Sequence, residues 1–238
     1  MEQSGTSSLL QGAVQELATG VASALRGGGH RRMTGDALVA GTEEGIAVAA
    51  VRVLGADLLL PHLLFRTPPA PEDLAAFREA VGSYPPRAGV APTVQWSHWA
   101  MRRTLRRLTV SPGGPDADAR DAEPDAVWLD DATWQTLTHQ LSVLAPLAVP
   151  GEDCAVARAA RRRPVDVARG FVRAVRRRDW RQAAGAGRWL SLLDGVPDTL
   201  GLEAGLDFVE LMGGGDPRVV LQVRAARLMR VEALVGRP

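Results

Sequence analysis

Residues 164–182 read Pro164-Val165-Asp166-Val167-Ala168-Arg169-Gly170-Phe171-Val172-Arg173-Ala174-Val175-Arg176-Arg177-Arg178-Asp179-Trp180-Arg181-Gln182. Two helix starts and one helix end are written in this stretch. Proline fits the first helical turn, where its missing N–H is no loss. Val167, Phe171 and Val175 recur every four residues and line one side of a helix. Arg169, Arg173, Arg176 and Arg177 fall on another side. Asp179 followed by Gln182 is a capping-box pattern that opens a second helix, running to about Leu193. The spacing therefore predicts a helix over 164–178, a tight connection, and an antiparallel neighbour.

The same signals continue outward. Asp130 or Asp131 is expected to cap a helix that runs to about Leu144, with Pro146 and Pro150 beyond it. A short helix is expected over 152–162. Asp194-Gly195-Val196-Pro197 ends the helix that Asp179 starts. Asp198 or Thr199 begins another, stopped by Gly213-Gly214-Gly215, and Asp216-Pro217 begins the last, to about Val235. Helix starts near Val165 and Thr199 lie close to one tetratricopeptide period apart. Gly185, Trp189 and Pro197 suit such a repeat, but Val219 and Val223 occupy its small and aromatic positions in the second copy, so no repeat family follows.

Residues 111–126 carry Asp116, Asp118, Asp121, Glu123 and Asp125 against Arg120 and no large apolar residue. A segment of that composition buries too little surface to offset its ordering entropy, and a disordered acidic linker or an exposed loop is expected. Before it, residues 7–26 read as an amphipathic helix ended by Gly27-Gly28-Gly29, capped by Ser7 or Ser8, with Leu10, Val14, Leu17, Val21 and Leu25 on one face. Residues 37–66 are rich in Val and Leu and read as a β-hairpin or small meander, with a turn at Leu54–Asp57; a buried helix broken at Pro61 is the other reading. Helices are expected over 72–81 and 93–108, the latter with Val94, His98, Met101, Leu105 and Leu108 inward. The expected fold class is α-rich (α+β). Its four parts are an N-terminal helix with a glycine linker (1–29), a mixed α/β segment (30–110), the acidic linker (111–126) and an antiparallel helical-hairpin bundle (127–238).

Composition excludes several functions. The 238 residues have 28 basic and 27 acidic side chains, a net charge of +1, so no overall drive toward polyanions exists. Every basic residue is Arg, there is no Asn, and Ile46 is the single Ile. Such usage points to a strongly GC-biased genome. Arg identity therefore says nothing here about phosphate recognition; Arg placement does. The charge divides into +2 over 1–110, −4 over 111–126 and +3 over 127–238. The single Cys154 leaves no internal disulfide and no cysteine zinc site. Arg52 and Asp57 interrupt the most apolar stretch, and Met1–Gly5 lacks a basic signal-peptide start, so a cytoplasmic protein without a transmembrane segment is expected.

Two constellations stand out. The first is the basic run Arg161, Arg162, Arg163, Arg169, Arg173, Arg176, Arg177, Arg178 and Arg181, suited to phosphates or to an acidic protein surface. Its ordinary alternative is a solvated helix face. The acidic linker offers a third possibility, that it lies on the arginines and screens them. The second constellation is Trp96 and Trp99 followed by Arg102, Arg103 and Arg106, where indoles and guanidiniums can stack bases or meet an anionic surface; Trp anchors in a core are the alternative. His30, His62, His98 and His139 have no ligand spacing, and no nucleophile elbow, Walker loop or dinucleotide fingerprint is present. No cofactor or metal is expected.

The first expectation for function is a non-enzymatic intracellular adaptor or assembly subunit that binds a protein partner through helical surfaces, self-association included. The second is nucleic-acid binding through Arg161–Arg181. The third is an enzyme of unorthodox site, with Glu43, His62 or His98 as the residues to mutate.

Overall fold

The structure is a computed structural model that describes residues 2–27, 44–109 and 122–235. It is 77% helical, with no strand among the described residues. The chain divides into two compact units, Met1–Ala122 and Glu123–Pro238.

In the first unit, α1 (Glu2–Gly27) packs along α2 (Glu44–Leu54). A 3-10 turn, Gly55–Leu59, leads into α3 (Leu60–Phe65), followed by α4 (Pro71–Ser83) and α5 (Pro92–Thr109). α1 starts ahead of Ser7 and Ser8, which lie inside it and cap nothing. Val14, Leu17, Val21 and Leu25 are buried along one face, as their spacing requires.

The expected β-hairpin is overturned where the chain is described: residues 44–65 are helical throughout, while Ala37–Ala40 lie outside the described residues. The physical reason is burial on more than one side. Ile46, Ala47, Val48, Ala50, Val51 and Leu54 are all buried, because α1 and α4 both pack on α2. A helix covered this way carries apolar residues all round and loses the periodicity that separates it from a buried strand. β-branched residues then follow the tertiary context over their propensity. Leu54–Asp57 is a helix junction, with Gly55 in the left-handed region (φ 66°), and Pro61 sits in the first turn of α3. Gly45–Phe65 is long and apolar enough to cross a membrane, with mean hydropathy 1.7, but 72% of it is buried inside the protein, the pattern of a core helix.

α5 turns a different face inward from the expected one. Trp96, Trp99, Ala100, Met101 and Thr104 are buried, whereas Val94 is 40% exposed. Each indole brings a large apolar area to the inward side, so the buried face is turned toward Trp96 and Trp99, with Met101 common to both faces.

The second unit is built around α9 (Trp180–Leu190). Around it pack α6 (Trp134–Val143), α8 (Pro164–Arg176), α10 (Leu202–Gly213) and α11 (Pro217–Val235); α7 (Ala155–Arg162) leads into α8. Ala183 through Leu190 are buried without a gap. Small residues let the neighbours approach: a Cβ on Gly185 would lie 2.7 Å from the Ser142 carbonyl oxygen, and one on Gly170 would lie 2.0 Å from Thr138 Oγ1. At the centre, Arg188 is fully buried. It donates from Nε to the Ala148 carbonyl (3.0 Å) and from a terminal nitrogen to Gln222 (2.9 Å). Trp189 donates from Nε1 to the Leu141 carbonyl (2.7 Å).

Candidate functional site

α8 carries most of the arginines of interest, and its boundaries follow from local chemistry. Pro164 stands in its first turn. Its end is a Schellman motif. The Arg178 N–H donates to the Val175 carbonyl (3.1 Å) and the Asp179 N–H to the Ala174 carbonyl (3.0 Å), the paired closure that satisfies the last carbonyls of a helix. The left-handed position is filled by Arg178 (φ 58°), where glycine is usual. Asp179 then caps α9, accepting from the Gln182 N–H at 3.1 Å, as the sequence predicts. α6 is capped by Thr133, which accepts from the Thr136 N–H, and not by Asp130 or Asp131.

The basic run separates into two halves. In the first, carboxylates neutralise the guanidiniums. Arg158 meets Glu123 at 3.2 Å and Asp153 at 3.5 Å; Arg161 meets Asp153 at 2.7 Å. Arg162 pairs with Asp130, and Arg163 meets Asp166 at 2.7 Å. Asp153 is held below the usual carboxylate range, first by its hydrogen bond from Arg161. In the second half, Arg169 stands 3.7 Å from Asp166 and Arg181 pairs with Asp216. Arg173, Arg176, Arg177 and Arg178 meet no carboxylate among the described residues.

Glu123 shows that the acidic segment is not featureless to its end. Its Oε2 also accepts from the Ala155 N–H at 2.8 Å, capping α7, whose own N-cap residue, Cys154, supplies no side-chain bond. Asp125 accepts from the Val127 N–H, and its carbonyl accepts from Trp128. Residues 122–126 form a loop, the second of the two expected states; residues 111–121 lie outside the described residues.

Around the open arginines lies Trp134, at the start of α6, with the Arg173 guanidinium 5.6 Å from its ring centroid. A cleft opens on each side of this pair. One, of about 540 Å³, is polar, lined by Thr136, His139, Gln140, Arg177 and Gln182 as well as Trp134 and Arg173. The other, of about 520 Å³, is lined by Val165, Val172, Pro197 and Leu200 together with Arg169 and Arg176. Val165 is 47% exposed and Val172 41%. Trp134 and Arg173 are far apart in sequence, so their meeting escapes any periodicity; the trace available in the sequence is Trp134 just after Thr133 in a helix start.

The second constellation does not assemble as a stacking surface. Trp96 is fully buried and Trp99 is 6% exposed, their rings meeting edge to face at 5.2 Å. They are core residues, and Arg102, Arg103 and Arg106 follow them along α5 without an exposed indole. His98 donates from Nε2 to the Val81 carbonyl, 3.2 Å away, since a carbonyl only accepts and that nitrogen therefore carries the proton. His62 is buried, with Nδ1 3.3 Å from Thr67 Oγ1. Burial lowers its pKa, and nearby Asp73 opposes the shift. Glu43 lies outside the described residues. Burial pushes the Cys154 thiol up to about 11, with Glu152 and Glu123 adding to the effect, the direction opposite to that of a reactive cysteine. No group of three or more His, Cys, Asp or Glu is gathered as metal ligands among the described residues.

Comparison with protein-family models, curated proteins and solved structures returned no match.

Proposed function

We propose that the protein is an interaction subunit without chemistry of its own, which binds a protein partner through the α6–α8 face of its second unit. The observation that carries this reading is the mixture on α8 of Arg173, Arg176 and Arg177, which meet no carboxylate among the described residues, with exposed Val165 and Val172. Mixed apolar and basic surface around a central aromatic is the composition of protein interfaces, where Trp and Arg anchor and charge selects the partner.

Nucleic-acid binding is the second reading, supported by the same arginines. A phosphate backbone presents a charge about every 1.7 Å and rewards an uninterrupted basic track. Here Arg158, Arg161, Arg162 and Arg163 are already paired with acids, and the Trp134 face is shared with Arg173. Both facts favour the protein partner. Filter binding with duplex and single-stranded oligonucleotides at low salt separates the two. Weak retention supports the first reading, and tight, steeply salt-dependent retention replaces it with the second.

A further inference from the structure

The two clefts beside Trp134 differ in chemistry but share a wall. Trp134 and Arg173 line both. On one side the lining offers the donors Arg173, Arg177, His139, Thr136 and Gln182, with a single carboxylate, Asp179, which is turned to the Gln182 N–H as the α9 cap. On the other it offers apolar contact from Val165, Ala168, Val172, Pro197 and Leu200. Val165 to Arg176 spans eleven helical steps, roughly 16 Å at about 1.5 Å each, which is about five residues of extended chain.

We infer that this face is a binding groove for an acidic peptide segment with an apolar anchor. An aliphatic or aromatic side chain enters the cleft between Val165, Val172 and Leu200. Aspartate or glutamate carboxylates, placed within about five residues of it, meet Arg173 and Arg177 in the polar cleft. The inference rests on the protein-partner reading and adds the ligand's chemistry. Charge complementarity selects the acidic partner. Arg173, Arg176 and Arg177 have no carboxylate of their own among the described residues, and guanidinium forks match carboxylates in two-point contact. The apolar cleft selects a polypeptide over a nucleic acid, since phosphodiester chains offer no aliphatic side chain to fill it.

Fluorescence anisotropy on the full chain tests the inference. The probe is a fluorescein-labelled twelve-residue peptide pool built from Asp, Glu, Leu, Phe and Gly. Control pools replace the acids with Gln or the Leu and Phe with Ser, and a labelled oligothymidine serves as the polyanion. The acidic, apolar pool should bind at low salt, and each control pool at least tenfold more weakly. The double variant R173E/R177E and the single variant V172E should each weaken binding at least tenfold, with circular dichroism unchanged. V172Q provides a second apolar-side variant if V172E unfolds. Equal binding of the acid-only pool, binding indifferent to the variants, or tighter binding of oligothymidine overturns the inference. If the peptide pools fail while a protein complex still forms in a host lysate, the groove is wrong and the interaction reading stands. If no protein complex forms either, both fall.

Discussion

Arg178 holds a left-handed backbone (φ 58°) at the end of α8, next to the open arginines. A non-glycine residue there is strained by roughly 1–2 kcal/mol. Glycine removes the clash and adds entropy to the unfolded chain, so the two effects partly cancel. R178G is expected to raise the unfolding free energy by about 0.5–1 kcal/mol, read as a higher urea midpoint at constant slope. A lower midpoint would show that the arginine side chain contributes more than its backbone costs. Buried His62 supplies a second expectation at this scale. Its pKa in the fold is lowered from 6.5, chiefly by desolvation, so the unfolded chain binds the proton more readily. Its stabilising contribution is therefore complete above about pH 6.5 and is lost as pH falls through the lower folded value. Between pH 7.5 and pH 5 the wild type should lose more stability than H62L, measured by urea unfolding at each pH. Equal losses would place the titration elsewhere.

Packing in the second unit depends on where one helix lacks a side chain. Gly170 on α8 faces Thr138 on α6 so closely that an added Cβ would lie 2.0 Å from Oγ1. Thr138 itself donates to the Trp134 carbonyl at 2.8 Å, so the contact between the two helices lies one turn along α6 from Trp134. G170A is expected to force α6 and α8 apart and cost about 2–3 kcal/mol by overpacking, a lower midpoint in thermal unfolding, and to weaken peptide binding with it. An unchanged midpoint would show that the helices can slide freely. Elements of this unit were legible because their ends are chemically marked: Pro164, the Asp179–Gln182 pair and Asp216-Pro217 each stand where a helix starts. α2 was not legible, since within 46–54 Ile46, Ala47, Val48, Ala50, Val51 and Leu54 are buried by two neighbours, the exposed residue is the apolar Val53, and Arg52 alone is polar to count against. The Arg-rich stripe was visible in the sequence, but its division was not. Which arginines are neutralised depends on Glu123, Asp130 and Asp153 arriving from elsewhere in the chain, and no local pattern reports that. The buried Arg188 had a trace, an arginine amid Ala183–Leu190 where every neighbour is small or apolar.

For the whole molecule, the near-zero net charge conceals a local surplus. The +1 total is the sum of an acidic segment and two basic parts. Many arginines of the second unit are paired internally: Arg227 pairs with Glu210 and meets Asp207 at 2.6 Å, and Arg181 pairs with Asp216. Among the described residues, Arg173, Arg176 and Arg177 meet no carboxylate and line the clefts beside Trp134. A second apolar strip, Phe208, Leu211 and Met212 on α10, is also exposed, with Trp180 edge-on to Phe208 at 6.0 Å. The exposed surface of this unit is therefore uneven in two places, and only the first combines charge with apolar clefts. The most direct measurement is purification of the tagged full chain from its native host, with nuclease treatment, comparing wild type with R173E/R177E and identifying co-eluting material by mass spectrometry. The account predicts a stoichiometric protein that survives nuclease, carries an acidic, apolar segment and is lost from the variant. Recovery of the same partner with both proteins, of nucleic acid, or of the chain alone would contradict it.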